Sequence, residues 1–282
     1  MADAHVLDHA VIAGSDTGAL CSAFAGIGLD PEYGGEHDNG VTHNYTLGFP
    51  DGSYLELIST VEPGAESPWW NDPIHGDAGP CAWALDVADV EAEAERIAGL
   101  GIPVEGPTSH TRERPDGATV EFDLAVPGDL GMGAKYPMLI HDRTPRSRRI
   151  AVAESVADTD LTGVREVVLA VPDVASEAET FAGLFDCEVP EPTAVPEFGA
   201  RLARFDGAPV TLAEPKVGDD GGSSWLRDRL DRFGPLPCAY LLGSEAPDAT
   251  AERFDLPAPS AWGTAEVRWF DLPLAGRLGV LC

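Results

Sequence analysis

The stretch Tyr54-Leu-Glu-Leu-Ile reads as a short strand entered from the turn signal Asp51-Gly52. Strand side chains alternate between faces, so Leu55 and Leu57 point one way while Tyr54, Glu56 and Ile58 point the other. Glu56 therefore sets a carboxylate in the middle of the second face of a largely apolar strand. In that position it is a candidate catalytic group, or an acceptor for neighbours such as Tyr54 and His43. Just upstream, Thr42 and Asn44 share one strand face and His43 takes the other. Arg112 and Arg114 also share a face. An arginine in a concave site binds a carboxylate bidentately, whereas on the surface it would pair with this acidic chain. Trp69-Trp70 lies in a loop rich in Pro, Gly and Asp, suited to lidding a pocket or plugging one end of a sheet. Trp83, flanked by Ala82 and Ala84, is expected to pack in the core.

The elements that must position these groups come as a repeat. Residues 9–16 are "HAVIAGSD" and 166–173 are "EVVLAVPD", and "FAG" follows each in the same register, at 24–26 and 181–183. Each apolar run reads as a buried strand, followed by a helix entered at an aspartate N-cap. Leu20, Phe24 and Ile27 have helical spacing in the first helix, and Val174, Ala178, Phe181 and Leu184 in the other. Asp51-Gly52 and Asp206-Gly207 then break the strands that follow. A third copy starts at "CAWALDV" (81–87), with Val90, Ala94 and Ile97 on one helical face and a further Asp-Gly turn at 116–117. A degraded fourth runs from "CAYLLGS" (238–244) to "RLGVLC" (277–282). The predicted fold class is α+β: four β-α-β-β-β units in paired curved mixed sheets, helices outside. Residues 1–142 form the first pair with a candidate cup, 143–160 a linker, and 161–282 a degenerate second pair. The linker carries the chain's only basic run, "RTPRSRR", read as a solvated connector in which Arg143, Arg146, Arg148 and Arg149 pair with acidic surface.

The formal net charge is −30, which argues against a nucleic-acid or anionic-membrane partner, since both need clustered cations. Of 18 basic residues only Lys135 and Lys216 are lysines. This composition resembles that of proteins from salt-accumulating halophiles, where concentrated counterions screen self-repulsion. The expected result is a melting temperature that rises with molar KCl; indifference to salt would count against this origin. The five cysteines are scattered and form no CxxC pair, so neither a disulfide framework nor a zinc knuckle is expected. The N-terminus lacks a signal-peptide pattern, no apolar run is long enough to span a membrane, and a cytoplasmic location is expected.

The four units, with "LDHAVI" opening the first, "GGEHDNGVTHNYTLGFPDGSYLELIS" (34–59), "RERPDG" (112–117), "YPMLIHD" (136–142) and "VREVVLAVPD" (164–173), resemble the glyoxalase-like branch of the vicinal oxygen chelate superfamily. That is the fold of glyoxalases, extradiol dioxygenases and bleomycin-resistance proteins. The resemblance implies metal ligands on the first and last strands of each unit. Carried over by position, these are His9, Glu56 and His141. The fourth place falls at Ala82 or Ala84, neither of which binds a metal. Two histidines and one carboxylate suit a divalent ion, with Zn, Fe, Ni, Co and Mn all chemically admissible. His37, Asn44 and Arg114 are the expected substrate contacts. In the second pair Glu166 replaces His9 and Thr211 aligns with Glu56, which leaves no ligand set.

The implied function is a metal-dependent enzyme acting on a small molecule with adjacent oxygens, as a lyase, isomerase or dioxygenase. The alternative is a metal-free protein that sequesters a small molecule in the same cup. Either is compatible with a homo-oligomer. There is no Walker A, no GxGxxG after a strand, no HExxH and no GxSxG, and "GDLGMG" (128–133) is only a Gly-rich loop.

Overall fold

The computed structural model describes residues 5–114, 117–129, 132–216 and 224–282; Asp116 of the third Asp-Gly signal and residues 130–131 of the "GDLGMG" loop lie outside these. The first unit is β1 (Val6–Ala13), α1 (Thr17–Gly26), β2 (Glu32–Glu36), β3 (Thr42–Gly48) and β4 (Tyr54–Thr60). After a short helix α2 (Asn71–His75), the second is β5 (Gly79–Asp86), α3 (Val90–Gly99), β6 (Val104–Glu113), β7 (Thr119–Pro127) and β8 (Met138–Asp142). The connector holds a single 3-10 turn at Arg146–Arg148 and α4 (Glu154–Ala157). The third unit is β9 (Leu161–Ala170), α5 (Val174–Phe185), β10 (Thr193–Val195), β11 (Ala200–Arg204) and β12 (Val210–Pro215). The fourth, preceded by α6 (Trp225–Phe233), is β13 (Pro237–Ser244), α7 (Pro247–Arg253), β14 (Ser260–Trp262), β15 (Ala265–Trp269) and β16 (Arg277–Leu281). Among the described residues no helix is long and apolar enough to cross a membrane.

The repeat seen in the sequence is a repeat of topology. One eight-stranded sheet has the order β2-β3-β4-β1-β5-β8-β7-β6 and the other β10-β11-β12-β9-β13-β16-β15-β14. Within the first unit the opening strand runs parallel to the last, β1 with β4, and the pattern recurs at β5–β8, β9–β12 and β13–β16. Two units join through their antiparallel opening strands, β1 with β5 and β9 with β13. Asp16 and Asp173 cap α1 and α5 as expected, each accepting from two backbone N–H groups of the first turn.

Alternation along the strands divides the apolar residues between two environments. Ala10, Ile12, Leu55, Leu57, Trp83 and Leu85 belong to a central core that also takes in Phe24 and Ile97 from the helices and Val167, Leu169 and Tyr240 from the other sheet. Val11, Ile58, Ala82, Ala84, Met138 and Ile140 cluster on the opposite, concave side. The two sheets thus pack through a shared core, and each keeps its own cup. Polar bonds cross the seam as well. Tyr240 of β13 reaches the β1–β5 pair where its register shifts beside Val11, and its hydroxyl lies 2.7 Å from the carbonyl oxygens of both Val11 and Ala82 while accepting from the Cys81 amide. Arg229, buried on α6, donates to the carbonyls of Ala78, Pro80, Pro237 and Ala275, which come from both halves.

The second cup is filled by protein. Phe198, Trp225 and Trp269 surround the Arg277 guanidinium at 5.0–5.4 Å from their ring centroids. Glu166 is saturated there: Oε1 accepts from Thr211 Oγ1 (2.7 Å) and Trp262 Nε1 (2.8 Å), and Oε2 from Arg204 Nε (2.9 Å).

Candidate active site

The first cup has a polar wall from unit one and a mainly apolar wall from unit two. Glu56, only 4% exposed, lies at mid-strand on β4 opposite Val11 of β1 and Thr46 of β3. Its Oε1 accepts from Asn44 Nδ2 (2.6 Å) and His37 Nε2 (3.0 Å), and its Oε2 lies 3.5 Å from His9 Nε2. Burial pushes the Glu56 pKa up, but the bond and charge of His37, the charge of His9 and the Asn44 bond outweigh it and bring it down to about 2. His37 is held in turn by Thr42, whose Oγ1 is 2.8 Å from Nδ1. His43 turns to the other face and meets Thr17 of α1.

His9 reaches the cup because β1 is bulged. Leu7 pairs with Leu85 but His9 with Ala84, so two steps on β1 match one on β5 and Asp8 is the extra residue. Without that bulge His9 would share the face of Leu7, under the helices. The same irregularity precedes Glu166 in β9. The His9 ring stacks on Tyr54 at 4.8 Å, and Nδ1 lies 2.6 Å from Asp8 Oδ1.

Asp8 is fully buried. Burial would raise its pKa, but the charge and hydrogen bonds of Arg149, with help from His9, hold it well below the usual carboxylate range. Arg149 donates Nη1 to Asp8 Oδ1 (2.9 Å) and to the Tyr54 hydroxyl (3.0 Å), Nη2 to Asp8 Oδ2, and Nε to Asp142 Oδ1 (2.7 Å). Arg146 adds a contact to Asp8 Oδ2 at 2.5 Å. An ionised Asp8 can only accept, so His9 Nδ1 carries the hydrogen and Nε2 is left facing Glu56 and the cup.

The opposite wall is built from Phe122, Leu124, Met132, Met138 and Ile140. His110 stacks on Phe122 at 5.3 Å, and Arg112 stands beside them on β6. Trp69 and Trp70 close the end nearest His37: Trp69 meets the His37 ring edge-on at 5.6 Å, and Trp70 Nε1 donates to the Met132 carbonyl (2.7 Å). Trp83 packs in the core against Phe185, as expected. The cavity is small, about 100 Å³, and opens to solvent at its mouth.

Of the residues predicted from the sequence, His9, Glu56, His37 and Asn44 are brought together, and two are not. His141 faces away from the cup. β8 aligns Ile140 with Leu124 and His141 with Asp123, which turns Met138 and Ile140 inward and leaves His141 Nδ1 on the Val87 carbonyl (2.9 Å). Arg114 donates Nη1 to the carbonyls of Arg148 (3.2 Å) and Arg149 (2.8 Å) and holds the connector; its neighbour on the same face, Arg112, is the one in the cup. The connector reading also needs correction. Arg149 is 5% exposed and part of the site, because burying Asp8 demands a fixed cation beside it. Asp8 and Arg149 were both missed, although the lone basic run of so acidic a chain, and an aspartate next to His9, were signals.

The ligand set His9, Glu56 and His141 therefore does not fit a metal. Only two of its members converge, the two cup-facing alanines and Ile140 offer no donor, and Glu56 Oε1 is occupied by Asn44 and His37. Among the described residues no group of three or more His, Cys, Asp or Glu side chains is arranged to hold a metal ion.

The family model described as a glyoxalase-like domain matches residues 7–185. The chain belongs to that family. In fold it is similar to a hypothetical protein from Staphylococcus aureus (TM-score 0.64, 12% identity, 98% of each chain covered). It is similar also to a mutant of 4-hydroxymandelate synthase from Streptomyces coelicolor (0.62, 15% identity, 98% of this chain and 91% of that one). A third is the Mn(II)-bound glyoxalase from Novosphingobium aromaticivorans (0.55, 12% identity, 98% and 80%). No curated protein matches the chain by sequence.

One stability effect follows from this electrostatic frame. The Glu56 carboxyl falls from 4.5 to about 2 on folding, so its contribution is complete above the unfolded value and is lost as pH drops through the folded one. Glu56→Gln is expected to shallow the fall of unfolding free energy between about pH 4.5 and 2, by an amount on the order of 3 kcal/mol, measured by urea titration across that range. Parallel pH profiles for the two proteins would contradict the ion-pair geometry.

Proposed function

We propose that the first cup is the active site of an enzyme that moves a proton on a small molecule with adjacent oxygen functions, a lyase or isomerase reaction. The observation that carries this reading is the His9 imidazole, tied at Nδ1 to a buried ionised Asp8 and open at Nε2 toward the cup. Nε2 takes a proton from the carbon that bears one of the substrate oxygens, and the electrons of that bond move onto the neighbouring carbonyl oxygen. The charge His9 acquires lies between Asp8 and Glu56, so it is stabilised where it forms. The same imidazole then returns the proton to the adjacent carbon, while the hydroxyl proton of the first carbon passes to the former carbonyl oxygen and the first C–O becomes the carbonyl. Glu56 stays ionised throughout, since His37 and Asn44 hold it so. The dioxygenase chemistry considered from the sequence finds no support in this donor set.

The test is proton exchange in D₂O, followed by ¹H NMR on 2-hydroxyacetophenone, glyceraldehyde and mandelate. Catalysed loss of a C–H signal next to a carbonyl supports the reading. Binding of these compounds with no exchange in any of them overturns it in favour of a sequestering protein.

A further inference from the structure

Of the two arginines among the described residues lining the first cup, Arg112 is the one without an ion pair; the Asp38 carboxylate lines the same cavity. The other arginine there, Arg149, is spent on Asp8 and Asp142, and Glu56 is spent on His37, Asn44 and His9. Among the described residues Arg112 makes no ion pair, and its Nε is buried without a hydrogen-bond partner. The chain carries 48 acidic residues against 18 basic ones, so a carboxylate would be easy to supply. Yet among the described residues no carboxylate pairs with this guanidinium, on the wall of a cavity lined by Phe122, Leu124 and Met138. A buried guanidinium donor without an acceptor costs stability unless a ligand satisfies it.

The cup is also polarised. Ionised Glu56 lies on the unit-one wall and repels an anion there, while Arg112 attracts one on the unit-two wall. We propose that the ligand is a small carboxylic acid with an apolar body, bound with its carboxylate on Arg112, its body against Phe122 and Leu124, and its second oxygen function toward His9 and Glu56. This rests on the reading of the first cup as the site and names the substrate class for it.

The probes are mandelate and its neutral isostere mandelamide, titrated by calorimetry into the full-length protein and into Arg112→Gln, Arg112→Lys and Ile140→Trp. The wild-type protein is expected to prefer mandelate at least about 10-fold, a charge-assisted pair in a partly buried site. Arg112→Gln should abolish the preference, and Arg112→Lys should restore part of it. Ile140→Trp, which fills the cup, should weaken both probes. Equal binding of acid and amide by the wild-type protein, or no binding of either, overturns the proposal. A preference that survives Arg112→Gln overturns the assignment to this residue. Failure of the catalytic reading looks different: Arg112-dependent binding of mandelate with no proton exchange leaves the carboxylate site standing and removes the enzyme.

Discussion

Arg149→Met should destabilise the protein by about 3–5 kcal/mol, measured as a drop in the urea midpoint at unchanged slope. The size follows from what stays behind. Asp8 is fully buried and ionised, and Arg149 supplies two of its hydrogen bonds and most of its counter-charge. Asp142 loses its bidentate partner in the same step. Methionine matches the aliphatic stem but leaves a carboxylate in the interior with only the partly buried Arg146 and His9 to face it. The double variant Asp8→Asn/Arg149→Met should recover a large part of the loss, because the penalty lies in the orphaned charge rather than in the missing cation. Additive losses would mean that Arg149 acts through packing instead.

His9→Gln should lower turnover of any substrate found by the exchange assay by about 10²- to 10⁴-fold, with mandelate affinity changed little. Glutamine can keep a hydrogen bond to Asp8, yet it cannot take up and release a proton. Asp8→Asn is expected to give a smaller loss with an altered pH profile, because the amide no longer dictates which ring nitrogen of His9 bears the hydrogen. Equal losses in binding and turnover for His9→Gln would make the histidine a contact residue and not a proton carrier.

How much of this was written plainly in the sequence depends on the range of the interaction. The repeat, the helix caps and the two faces of β4 are set by neighbours a few residues apart, and periodicity shows them. The meeting of His9 with Glu56 follows once both strands are known to open and close one unit. His141 failed for a different reason. A strand's apolar pattern fixes its faces only to within one residue when both faces are buried, and Met138 through Ile140 are apolar without interruption. The bulge at Asp8, which rescues His9, leaves no mark in the pattern at all. Arg149 finds Asp8 across 141 residues of chain, so the basic run marks the arginines but no local pattern says which of them the fold buries.

The Tyr240 hydroxyl gives the second pair of units a share in a site it does not contain. It fastens to the Val11 carbonyl, and Val11 stands beside Glu56 in the sheet and two positions from His9 on its strand. The half whose own cup is occupied by tryptophan side chains thus bonds, through one hydroxyl, to the strand pair that carries His9. A chain cut between the halves would leave the β1–β5 pair with two carbonyls and an amide to satisfy anew.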